Sequence, residues 1–183
     1  MKIKQLKIGF MEEVKGGIKG CSSVTLIQGG KKNILVDTGG RGFHEEISKA
    51  LRREKLTEDK IDYIILTHNH QDHTFNLAFY ENAKIISSGG TLTDKFVWNK
   101  LPVKIGKNIE IISTPGHSED SCSVIVNAGK ETYAITGDLF FNSQDKLPSF
   151  EKNKKEILKE RGKMIKIADY VIPGHGKMFK VKK

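Results

Sequence analysis

The chain has little that would cross-link it or anchor it in a membrane. Two cysteines in 183 residues, Cys21 and Cys122, are too few for a disulfide framework, and neither belongs to the Cys-x-x-Cys pair of a closed structural zinc site. Each sits in or beside a strand-like stretch, so a buried free thiol is expected at both. No apolar run approaches 18 residues, which leaves no candidate membrane span. The N-terminus, Met1-Lys-Ile-Lys-Gln-Leu-Lys, alternates apolar and charged residues where a signal peptide would be continuously apolar. A cytoplasmic protein is therefore expected. Aromatic residues make up 8% with a single tryptophan, Trp98, so side chains for stacking on bases are sparse. What remains, 37% hydrophobic residues over this length, suits one layered domain spanning residues 1–183.

Charge is present in excess of one sign. The formal net charge is +9, and from Ser149 to Lys183 there are 11 basic against 4 acidic residues. A basic face favours anionic partners, RNA among them. Lysine-rich solvated helices produce the same excess without any partner, and the shortage of aromatics favours that plainer reading.

The residues that carry chemistry are concentrated. Thr67-His-Asn-His-Gln-Asp-His73 packs His68, His70, Asp72 and His73 into six residues, directly after the apolar run Tyr63 to Leu66. Three of the chain's six histidines fall in this stretch, which a solvated turn seldom shows. Imidazole nitrogens and carboxylates suit zinc, iron or manganese, and a strand end fixes their direction while leaving them reachable.

Along the chain, Ile3 to Ile8 reads as a strand, and 10–20 reads as a loop with a hairpin turn at Gly16-Gly17. Val24 to Gln28 and Asn33 to Val36 form a second hairpin, and Phe43, Ile47, Ala50 and Leu51 mark a helix over Phe43 to Leu56. Ile61 to Leu66 is the strand that delivers the cluster. A short helix is expected over Phe75 to Phe79, and strands over Lys84 to Ser87 and Asn108 to Ser113. Ser121 to Asn127 and Thr132 to Thr136 should pair as a hairpin. A last helix from Phe150 to Ile167 should bury Ile157, Leu158, Ile165 and Ala168, before a strand over Tyr170 to Ile172. Four strand-like runs thus end beside a polar group: the 68–73 cluster, His117, Asp138 and His175. Strands of a layered α/β fold that end on one side would gather these into a single crevice.

This succession, His-x-His-x-Asp-His followed by Gly-His, Gly-Asp and Gly-His motifs, resembles the metallo-β-lactamase fold superfamily from about Asp37 to His175. Asn76-Leu77 after the cluster and Ala168-Asp-Tyr-Val-Ile-Pro-Gly-His-Gly-Lys-Met-Phe-Lys-Val181 are similar to the small proteins typified by metallo-β-lactamase domain-containing protein 1. The resemblance implies an α/β fold, a four-layer αββα sandwich. It also implies one metal held by His68, His70 and His117, a second held by Asp72, His73 and His175, and Asp138 bridging both. Asp72 and Asp138 would orient a bridging hydroxide, Asp37 would support a ligand by hydrogen bonding, and His44 is left as a surface group. Thr74-Phe75 and Glu119-Asp120 stand where the superfamily more often has Ile-Gly and Pro-Gly, which spares the ligands and changes the pocket walls.

The resemblance implies a hydrolase with two zinc ions per chain, iron or manganese being alternatives, acting on an ester, thioester, lactone or similar small-molecule substrate. A ribonuclease or phosphodiesterase is the second reading, and a mononuclear iron persulfide dioxygenase using His68, His117 and Asp138 is the third. Only eight residues follow His175. Substrate contacts are therefore expected from the flap at 14–19 and from the loops at 91–104 and 142–150. Phe10, Phe96 and Trp98 are readable as exposed contact residues or as core.

Overall fold

Fifteen strands and three α-helices, numbered in chain order, make up the described residues of the computed structural model, which are 1–144, 147, 148 and 150–182. β1 (Lys2–Lys7) is followed by the hairpin β2 (Phe10–Val14) and β3 (Gly17–Cys21), which stands as its own two-stranded sheet, and by β4 (Val24–Gly29) and β5 (Lys32–Val36). Then come α1 (His44–Arg53), β6 (Tyr63–Ile65), the single turn α2 (Gln71–Thr74), β7 (Lys84–Ser87), β8 (Gly90–Leu92) and β9 (Phe96–Trp98). The second half holds β10 (Val103–Ile105), β11 (Ile109–Ser113), β12 (Cys122–Asn127), β13 (Thr132–Gly137), α3 (Lys154–Ile167), β14 (Tyr170–Pro173) and β15 (Phe179–Lys180).

Two mixed sheets result. One runs β1-β4-β5-β6-β7-β8-β9, with β5, β6 and β7 parallel, and the other runs β10-β11-β12-β13-β14-β15, with β13 and β14 parallel. The sheets face each other across a core of Ile27, Ile34, Val36 and Ile65 from the first and Ile111, Val124, Ile135 and Ile172 from the second. Strand alternation supplies the other layers. Leu26, Leu35 and Ile64 point to the opposite face, where Ile47 and Leu51 of α1 cover them. On the second sheet Ile125, Ala134 and Val171 pack on Ile157 and Met164 of α3. The order is helix, sheet, sheet, helix, the αββα arrangement expected from the sequence.

The departures are local. In place of a helix over Phe75 to Phe79 there is a 3-10 turn at Leu77–Phe79, and α2 forms inside the ligand motif itself. Residues 91–104 are not pocket loops but β8, β9 and the start of β10. α3 begins at Lys154 and turns a different face inward: Ile157, Glu160, Arg161 and Met164 are buried, while Leu158 is 57% and Ile165 38% exposed. The inward stripe still follows i, i+3, i+4, i+7, but it includes charges. Arg161 Nε donates to Leu139 O at 2.5 Å and its guanidinium lies over the Phe140 ring. Of the expected pocket loop at 142–150, Asp145, Lys146 and Ser149 lie outside the described residues. Cys21 and Cys122 are buried free thiols, as anticipated.

Candidate metal centre

Each polar group flagged in the sequence follows the C-terminal end of a strand, and those ends share one side of the sandwich. β6 delivers the 68–73 segment, the turn after β11 delivers His117, β13 ends just before Asp138 and β14 ends before His175. The approach is close enough to need glycine. Gly137 has φ +50°, and a Cβ there would sit 2.4 Å from Thr67 Oγ1; a Cβ on Gly174 would sit 1.9 Å from Asp138 Oδ1.

The side chains fall into two groups, His68, His70, His117 and Asp138 in one and Asp72, His73 and His175 in the other, with the candidate ligand atoms of each group within 4.8 Å of one another. His70 Nδ1 lies 3.0 Å from His68 Nε2 and 2.9 Å from His117 Nε2. Asp138 stands between the groups. One oxygen is 3.5 Å from His117 Nε2 and 3.2 Å from His175 Nε2, and the other is 3.2 Å from His73 Nε2. Asp72 Oδ2 is 3.5 Å from His175 Nε2 and 4.0 Å from His73 Nε2.

The outer nitrogens decide what the inner ones present. His73 Nδ1–H donates to Asp37 Oδ2 at 2.8 Å, and that carboxylate is itself held by Thr67 through its backbone N–H and hydroxyl, both at 2.8 Å. Asp37 keeps φ +59° to make this contact. His175 Nδ1–H donates to Phe10 O at 3.0 Å. His117 Nδ1–H donates at 2.5 Å to Glu151, a carboxylate buried just ahead of α3. Each anchored ring therefore turns an Nε2 lone pair inward.

Those lone pairs meet other acceptors. His73 Nε2 and Asp138 Oδ1 are both buried without a hydrogen bond, although only 3.2 Å apart. Burial of two unpaired acceptors face to face is costly, and a cation between them removes the cost. The donor set of imidazoles and carboxylates fits a divalent metal of the zinc, iron or manganese type.

The protonation preferences point the same way. Burial pulls His73 toward its neutral form, but Asp37 and Asp138 outweigh it and hold its pKa well above the usual imidazole range. His175 is also raised, burial being outweighed by Asp138. Burial works to raise Asp138, yet His73 and His175 hold it well below the carboxylate range. His68 is pushed well below its ordinary value, chiefly by burial and then by neighbouring His73. The carboxylates that raise the two histidines thus favour positive charge at the place that the geometry shapes for a cation.

A cleft of about 340 Å³ opens over the cluster, walled by Met11 and Ile18 of the flap and by Phe141 and Phe150. The expected flap contact is present, whereas no residue of 91–104 lines this cleft among the described residues. Phe96 and Trp98 stand exposed on the β9 edge, and Phe10 meets Phe43 edge-on at 5.6 Å. Asp120, one of the atypical pair after His117, binds Asn69 through its N–H at 3.1 Å and its side chain at 2.6 Å, tying two ligand loops together. His44 is away from the cluster, stacked on Phe79 at 3.5 Å. The sequence reading missed Glu151. It sits in Glu151-Lys-Asn-Lys-Lys-Glu, which looks like a solvated helix start, and only the return of α3 onto the sheet buries it.

Residues 19–110 match the family model of the metallo-beta-lactamase superfamily. Metallo-beta-lactamase domain-containing protein 1 of Xenopus laevis is 30% identical over 94% of this chain and 78% of its own length. A Methanocaldococcus jannaschii protein named as a probable metallo-hydrolase is 34% identical, over 78% of this chain and 70% of its own. The crystal structure of a Thermotoga maritima protein of metallo-beta-lactamase type superposes with a TM-score of 0.77 at 21% identity, covering 98% of both chains.

Proposed function

The chain belongs to the metallo-beta-lactamase superfamily, and from that premise we propose that it is a hydrolase working with two divalent cations, zinc by the character of its donors. In this reading His68, His70 and His117 would hold one ion and Asp72, His73 and His175 the second, with Asp138 serving both. The observation that carries it is the position of Asp138 between the two groups, one oxygen 3.5 Å from His117 Nε2, the other 3.2 Å from His73 Nε2, which faces it unpaired, and both 3.2 Å from His175 Nε2. Bound metal of this kind supplies a hydroxide near neutral pH and polarises the bond to be cleaved.

The protein's own groups supply the rest. Asp37, Glu151 and the carbonyl of Phe10 fix the imidazoles by their outer N–H groups, so the ligands need no reorganisation during turnover. Asp72 and Asp138 offset the charge of the ions. Met11, Ile18, Phe141 and Phe150 exclude water from one side of the cleft and offer an apolar wall to a small ester, thioester or lactone. Turnover of such chromogenic substrates should vanish on chelation, return with zinc, and be lost in His68→Ala and Asp138→Ala. Full turnover by either variant refutes the reading.

The net charge of +9 favours a second reading, a phosphodiesterase acting on RNA. Its test is hydrolysis of bis(4-nitrophenyl) phosphate together with salt-dependent binding of single-stranded RNA, and absence of both removes it.

A further inference from the structure

A second cavity, of about 280 Å³, adjoins the metal cleft and shares Gly20, Gln71 and Asp72 with it. Its remaining walls are two cations, Lys19 and Arg41, and two aromatic rings, Phe43 and Phe75. The hydrolase reading gives Arg41, Phe43 and Phe75 no role, and Lys19 ends the flap at 14–19 from which substrate contacts are expected.

The cavity is built from three segments locked to one another. Asn76 Nδ2 donates to Thr38 O at 2.8 Å and Gly40 O at 3.0 Å, which fixes the turn carrying Arg41. A Cβ on Gly40 would lie 3.3 Å from Gly20 O and 3.5 Å from Asp72 Cα, so this turn packs on β3 and α2 with no room to spare. Ser22 N–H donates to Asp72 O at 3.1 Å, joining β3 to α2. Phe43 is held from behind by Phe10 at 5.6 Å and by Lys7 Nζ, 4.8 Å from its ring centre. Phe75 follows α2 directly and is half exposed.

The charges are uncommitted. Among the described residues no carboxylate lies within ion-pair distance of Lys19 or Arg41, whereas neighbouring Lys7 is paired with Glu46 at 3.3 Å. Asp72, the acid in the cavity wall, turns Oδ2 toward His175 and His73. Two unpaired cations and two aromatic rings lining one cavity form a receptor for an anion carried on a short apolar stem. Gly20, lacking a side chain, keeps the passage to the metal cleft open.

We infer that this cavity holds a carboxylate or phosphate group of the substrate while the bond to be cleaved lies at the metal centre. The substrate class is thereby narrowed to small anionic esters, thioesters or lactones. The inference rests on the hydrolase reading, and the test separates the two. The zinc-loaded protein is assayed on three matched esters: neutral 4-nitrophenyl butyrate, mono-4-nitrophenyl glutarate, and 4-nitrophenyl 3-phosphonopropionate. The wild type should prefer an anionic ester to butyrate, and the preferred arm identifies carboxylate or phosphate. Arg41→Ala should lower the anionic-to-neutral ratio of kcat/KM about tenfold, mainly through KM, with Arg41→Glu lowering it further and Arg41→Lys restoring part. Lys32→Ala, at the far end of the sheet, should leave the ratio alone. An unchanged ratio in Arg41→Ala and Arg41→Glu overturns the inference and leaves the hydrolase reading standing. If the wild type cleaves none of the three, the hydrolase reading on small esters fails, and the cavity is judged by equilibrium binding of glutarate. About tenfold weaker binding by Arg41→Ala supports it, and equal binding overturns it.

Discussion

Two clefts lie at opposite ends of β6, and the larger of them is not the one that carries the chemistry. At the N-terminal ends of β5, β6 and β7 is a cavity of about 610 Å³ walled by Lys32, Lys60 and Lys84 with Asp59 and Asp62. Two of its lysines are paired, Lys32 with Asp62 at 2.7 Å and Lys60 with Asp59 at 2.9 Å, and the other two, Lys55 and Lys84, are exposed to solvent. At the C-terminal end, in about 340 Å³, imidazoles and carboxylates converge in burial with acceptors facing acceptors. Both ends are polar. The difference is that the charges of one end are solvated, whereas the other end buries acceptors that a cation would satisfy, and it lies at the C-terminal strand ends, where α/β sheets usually place function.

The comparison is broken most directly by exchanging which end is damaged. His68→Ala or Asp138→Ala should lower turnover on the order of a thousandfold or more and reduce bound metal, while Lys32→Ala and Lys60→Ala leave both within twofold, about the scatter expected of exposed ion pairs. Activity assays and elemental analysis on the same preparations check this. Comparable losses from the two ends would erase the distinction.

The next effect down concerns the anchors. Asp37→Asn and Glu151→Gln remove the charge that fixes His73 and His117 without removing a ligand. Each should weaken metal affinity about 10- to 100-fold, measured by chelator competition. Unchanged affinity in both would mean that the outer hydrogen bonds do not tune the site.

A smaller effect sharpens the electrostatic side. His73 and His175 are raised in the metal-free protein, so they keep protons that a cation must displace. Zinc uptake should release protons, and affinity should already be falling as the pH drops toward the ordinary imidazole pKa of about 6.5. For metal-free protein the sign reverses: the stabilisation from raised histidines is full below their unfolded pKa and is lost as pH rises through the folded one. That from depressed Asp138 is present above about pH 4 and lost below it. Thermal melts of chelated protein across pH, with calorimetric proton counting during zinc uptake, test both signs.

The two ends also differ in how much of them was readable beforehand. The convergence of His68, His70, His117, Asp72, His73, Asp138 and His175 was legible because metal chemistry restricts residue type and they stand at strand ends that the apolar runs already mark. The runs indicated a layered α/β fold, and the family resemblance implied the four-layer sandwich. What was not legible depends on tertiary return. Glu151 looks solvated until α3 folds back. Leu158 and Ile165 look like core, yet α3 is rotated so that Glu160 and Arg161 go inward. Residues 91–104 read as a pocket loop in sequence, but they hold β8 and β9 at the edge of the first sheet and the start of β10 in the second. Arg41 and Phe75 are unremarkable in sequence. Only the packing of the Gly39-Gly40 turn on α2 puts them side by side.

The claim beneath all of this is that two groups of side chains sharing Asp138 hold two cations. Elemental analysis of protein isolated without added metal, followed by calorimetric titration of the stripped protein with zinc, tests it most directly. The account predicts two zinc equivalents per chain, with Asp138→Ala disturbing both sites and His70→Ala chiefly one. A single iron per chain, or a single zinc site that survives Asp138→Ala, would contradict it.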